Sequence, residues 1–108
     1  MNAQYAPPSS DELLHALARL DAAMAIVVRR AGEGCGPECE RRLDSSSRNL
    51  RALLGPDSAQ VVIDVLDAAR RVLTSADPSA PLLMLTMARQ TLAALVHRHA
   101  ARATRRVA

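Results

Sequence analysis

The chain has 108 residues, enough for one domain with a substantial core, and its 49% hydrophobic content excludes a wholly disordered polymer. Phe and Trp are absent and Tyr5 is the only aromatic residue, which excludes recognition of single-stranded nucleic acid by ring stacking and leaves Leu, Val, Met and Ala to fill the interior. The net charge of +3 is modest, and all 14 basic residues are arginine, a bias that GC-rich coding accounts for as well as any need for arginine's planar fork.

Residues 1–9, with Pro7 and Pro8 among small polar residues, are expected to form a disordered leader. No apolar run follows Met1, so no signal peptide is expected, and a cytoplasmic location is the default unless export proceeds by a route that reads a flexible N-terminus.

The first helix is expected over about 10–31, capped by Ser9 or Ser10, with Asp11 and Glu12 at its positive end. Leu13, Leu17, Leu20, Met24, Val27 and Ala31 repeat at spacings of four and three, a heptad seam. Ile26 falls off that seam. Gly32, Gly34 and Gly36 mark a turn. Pro37 then opens a second helix over about 37–54 with sparse apolar positions at Cys39, Leu43, Leu50, Leu53 and Leu54. Ser45, Ser46 and Ser47 sit in its middle, where serine is a mediocre helix former, and this is the helix most expected to fray.

A third helix is expected over about 58–76, capped by Asp57 or Ser58, with Val62, Val65, Leu66, Ala69, Leu73 and Ala76 as its core stripe. Asp67 and Arg71 stand at a supporting i,i+4 spacing. Asp77-Pro78-Ser79 breaks the chain. The fourth helix is expected over about 81–104, with Pro81 near its first position. Leu85, Ala88, Leu92, Leu95 and Val96 form one stripe, and Leu83, Met87 and Ala94 lie opposite, with Met84 and Thr91 beside them. About 16 residues with a charge at Arg89 are too short and too interrupted to span a membrane. A helix apolar on both sides is central in its fold or has a second partner. Four helices with short connections and no strand pattern predict an all-α, antiparallel four-helix bundle.

Three features could carry chemistry. Cys35-Gly36-Pro37-Glu38-Cys39 places Cys39 in the first turn of a helix, where the dipole favours a thiolate. Cys35 and Cys39 are read first as plain thiols, with a disulfide or redox switch as the alternative and with Cys39 the more reactive if both are free. The spacing is not the two-residue gap of thioredoxin-like motifs. His97 and His99 point to different sides of a helix, so no metal site is expected. Arg98, Arg102, Arg105 and Arg106 form a basic end; from Arg89 onward there are five arginines and no acid. They are candidates for binding polyanions such as nucleic acid, and less readily a membrane surface, though cations also suit a helix C-terminus. Third, Leu83, Met87 and Ala94 on the far face of the fourth helix, together with the second helix, are the candidate surfaces for protein interaction.

His15-Ala-Leu-Ala-Arg19 is similar, over those few residues, to a histidine phosphotransfer domain, in which an exposed histidine on a four-helix bundle has a basic neighbour one turn away. The basic and small residues that follow the histidine in such domains are missing here, and His15 lies on the first helix. No nucleophile elbow or phosphate-binding glycine loop is present. No catalytic residue, metal or cofactor is expected. The expected function is non-enzymatic: binding to another protein or to a second copy, as an adaptor, chaperone or regulator. Polyanion binding and a thiol switch are the alternatives.

Overall fold

The computed structural model describes residues 7–107. Its helices are α1 (Ser10–Arg29), α2 (Gly36–Leu54), α3 (Ala59–Thr74) and α4 (Ser79–Val107), with a 3-10 turn at Pro56–Ser58. There are no strands among the described residues, and the fold is the all-α four-helix bundle that the periodicity predicts. Each helix packs on the next, α4 closes against α1, and α1 touches α3 across the diagonal. Most of the expected leader lies outside the described residues.

Ser9 caps α1 by a reciprocal capping box. The Glu12 N–H donates to Ser9 Oγ at 3.1 Å, and the Ser9 N–H donates to the Glu12 carboxylate at 2.9 Å. The buried face of α1 is Leu13, Ala16, Leu17, Leu20, Ala23, Met24 and Val27, the heptad seam widened by two alanines. Ile26 is half-buried against the core edge. The helix ends at Arg29 rather than Ala31, because the chain turns there to place Gly32 and Gly34 on the end of α3. Their N–H groups donate to the Val72 and Leu73 carbonyls at 2.8 and 3.1 Å, satisfying acceptors that a helix terminus leaves unpaired.

α2 buries a narrow stripe of Cys39, Leu43, Ser47, Leu50 and Leu54. Ser47 is 1% exposed. It is tolerated there because its hydroxyl donates to the Asp44 carbonyl of its own helix at 3.1 Å. Gly55, at φ 91°, ends the helix. α3 buries Val62, Val65, Leu66, Ala68, Ala69, Val72 and Leu73. It stops at Thr74, so Ala76, expected in the core stripe, is exposed in the following bend. The Asp77 carboxylate accepts from the Ser79 hydroxyl at 2.8 Å and from the Ser79 N–H at 3.2 Å, which fixes the start of α4. The Asp67–Arg71 pair does not form. The pairs that do join helices are Arg70–Asp44 between α3 and α2 at 3.0 Å and Arg89–Asp21 between α4 and α1 at 3.4 Å.

Candidate functional site

α4 is 29 residues long, about 43 Å at the α-helical rise. It starts two residues earlier and continues three residues further than the sequence predicts. Leu85, Leu92, Val96 and Ala100 face the core. Arg89, expected as an interruption, lies at the edge of that face and reaches sideways to Asp21, so the helix continues through it.

The opposite side is open. Leu83 is 63% exposed, Met87 60% and Met84 49%, and Thr91 and Ala94 are exposed on the same side. The three candidate interaction residues Leu83, Met87 and Ala94 therefore share one outward face, and Met84 belongs with them. Leu83 and Met87 are one turn apart, and Ala94 is two turns further. Leu83, Met84 and Met87 are thus adjacent exposed apolar side chains, and the main apolar patch of a protein surface is often a functional one.

Within Ser79–Arg106, α4 is long and apolar enough to cross a membrane, with a mean hydropathy of 1.2 over its most apolar window. Only 17% of that window is buried in the fold. The sequence expectation of a segment too short to span thus fails on length. What α4 does in this fold is pack one side on α1 and α3 while leaving the other bare.

Two grooves flank the bare face. On the α3 side, Asp64, Asp67 and Arg71 line a groove with Met84 and Ala88. Asp64 also accepts a hydrogen bond from Gln60 at 2.9 Å. On the α1 side, Asp21 and Arg89 line a groove with Thr86, Gln90 and Ala93. In the sequence Asp67 is legible only as a partner at helical spacing from Arg71. Its place beside Met84 comes from the α3–α4 packing.

Arg98, Arg102, Arg105 and Arg106 are all exposed, and none takes part in an ion pair among the described residues. The Arg89–Asp21 pair sets the antiparallel register of α4 on α1. Ala100 and Ala103 on the same stretch are still buried, so α4 stays packed between its arginines. Partial burial of His99, followed by the charges of Arg102, Arg98 and Arg106, lowers its pKa below the usual imidazole value. The basic end is thus a real concentration of positive potential, one that disfavours a further cation at His99.

At the opposite end of the bundle, Cys35 and Cys39 are joined in a disulfide, with Cα atoms 5.4 Å apart. Cys39 is 6% exposed within the core and Cys35 is half-buried against it. The more reactive free thiol expected at Cys39 is therefore absent: its sulfur is both bonded and buried. His15 is exposed and lines a shallow groove with Ala18, Arg19 and Ala22. Among the described residues, no three of His, Cys, Asp and Glu gather closely enough to hold a metal ion.

No known family, curated protein or solved structure matches the chain.

Proposed function

We propose that the protein is a non-enzymatic interaction module that docks a protein partner on the outer face of α4. The carrying observation is the exposure of Leu83, Met84 and Met87 on a helix whose other side already fills the core. Burying a side chain of this size contributes about 1.5–3 kcal/mol relative to leaving it in water, so a cluster of three is a strong driving force for docking. Methionine adapts its shape to the surface it meets. An adaptor, chaperone or regulator would use such a face.

The test is the double substitution Leu83→Glu/Met87→Glu in the full chain. Helicity by circular dichroism is expected to be unchanged, and the native complex to dissociate in cell extract. An unfolded double variant would instead assign this face to the core.

A second reading, polyanion binding, is favoured by the four exposed arginines, none of which is ion-paired among the described residues. On that reading, affinity for DNA, RNA or heparin falls steeply with salt and is lost when residues 98–108 are deleted. Absence of binding at low salt rejects it. The cytoplasmic location belongs to the same proposal, and one observation counts against it. A disulfide such as Cys35–Cys39 is maintained in oxidising compartments and is reduced in most cytosols.

A further inference from the structure

The outer face of α4 has a direction. Met84, Met87, Thr91, Ala94, Arg98 and Ala101 follow one another at spacings of three and four and are all exposed, which makes a second heptad seam on the back of the helix. Its middle, Thr91 and Ala94, is small and lets another helix approach closely. Its two ends differ in charge. Beside the first half lie Asp64 and Asp67 of α3, with Arg71 offsetting one of them. Along the second half lie Arg98, Arg102 and Arg105, with no acid on α4 at all.

Arg98 and Arg102 stand on the same side of the helix as Met84, the α3 side. Arg102 is five full turns from Met84 and Arg98 is two heptads from it, so all three fall on nearly the same line of the helix. The first half of the seam is therefore apolar with an acidic flank, and the second is small and basic with its cations on that same flank.

We propose that a second copy of the chain covers this face, α4 against α4 in antiparallel orientation, about a twofold axis crossing the helix near Thr91. This rests on reading the face as a docking surface, and it names the occupant. A rotation about an axis lying in the interface and perpendicular to α4 reverses the helix direction and keeps the α3 flanks on the same side. Arg98 of one copy then comes level with Met84 of the other, beside Asp64 and Asp67. Arg102 comes level with the start of the facing α4, close to Asp77. The twofold makes every such pairing twice, as isologous interfaces do. A parallel twofold dimer would put the two α3 flanks on opposite sides of the interface and bring the arginines of both copies level with each other, away from Asp64 and Asp67. Charge complementarity of this kind fixes register and excludes the wrong orientation.

The experiment uses the full-length chain and measures mass by light scattering after size exclusion. The wild type is expected at twice the 11.6 kDa chain mass. Two charge-reversed chains, Arg98→Glu and Asp64→Arg/Asp67→Arg, are each expected to run as monomers with unchanged circular dichroism. Mixed in equal amounts they are expected to return to the dimer mass, since every reversed pair then meets its complement. Thr91→Arg, which brings two like charges together at the axis, is an independent variant expected to give a monomer.

A wild type that stays monomeric at every concentration overturns the proposal, and so does a mixture of the two reversed chains that fails to associate. Failure of the underlying reading is distinguishable. A monomeric wild type whose Met87 position crosslinks to a different protein in cells loses the second copy and keeps the docking face. Absence of any crosslink removes both.

Discussion

The backbone N–H of Gly32 donates to the Val72 carbonyl across 2.8 Å, and so the α1–α2 turn caps the end of α3. Gly32 holds a φ of 78°, and a Cβ added there would stand 3.2 Å from the Ser75 carbonyl oxygen. Gly34 has a similar φ of 76° and nothing within 4 Å of such a Cβ. Both alanine substitutions incur the left-handed backbone cost of about 1–2 kcal/mol. Only Gly32→Ala adds a close approach to backbone that has little room to move. Urea unfolding is expected to show Gly32→Ala as the more destabilised of the two. Equal losses would mean that the turn is free to shift away from α3.

The bundle was legible in the sequence because its signals are local. The Leu13–Val27 seam and the Val62–Leu73 stripe each declare a helix by spacing alone, Ser9 marks the start of the first, and Asp77-Pro78-Ser79 declares a break. What escaped was set by packing between helices. α1 stops at Arg29 because its following glycines are engaged by α3, which no property of residues 30 and 31 announces. Ser47 is buried because α2 turns that side inward, although its type argues for the surface. The exposed pair Leu83 and Met87 was readable from their position opposite Leu85 and Leu92. The acidic flank of that face was not, since Asp64 and Asp67 reach it only through the contact of α3 with α4.

The core itself is testable at Leu20 and Leu92, which are 1% and 2% exposed on α1 and α4. Truncation of either to alanine is expected to lower unfolding free energy by about 2–5 kcal/mol, the range for a large aliphatic side chain removed from a packed interior. Denaturant titration measures it. A loss near zero at both positions would mean that the two helices do not bury the faces described.

The Cys35–Cys39 bond closes a very short loop, so its restriction of the unfolded chain is small. Loop-closure entropy puts the stability lost on reduction at about 2 kcal/mol. The bundle is expected to remain helical, because Cys39 stays in the core as a small apolar side chain. Before reduction neither sulfur should alkylate. After it, half-buried Cys35 should react ahead of Cys39, which is the reverse of the order that helix position alone suggests. Rapid labelling without reductant would contradict the bond.

Asp77 gives α4 a pH-dependent start. Hydrogen bonds from the Ser79 hydroxyl and then the Ser79 N–H lower its pKa, and slight desolvation opposes them. With the folded value below the unfolded one, the contribution to stability is complete above the ordinary carboxylate value of 3.8 and is lost as pH falls through the folded value. Wild type is expected to melt above Asp77→Asn at neutral pH, with the gap closing in acid. A gap that persists at low pH would assign the effect to something other than ionisation.

The claim that α4 docks a protein on its outer face is tested most directly by placing a photoreactive amino acid at position 87 in intact cells. A matched chain carrying it at Ala18, on the exposed side of α1, serves as the control. Light is expected to give a discrete crosslinked protein product from position 87 and none from position 18, and Leu83→Glu in the same chain is expected to remove it. No product at position 87, or equal products from both positions, would contradict a docking surface on α4.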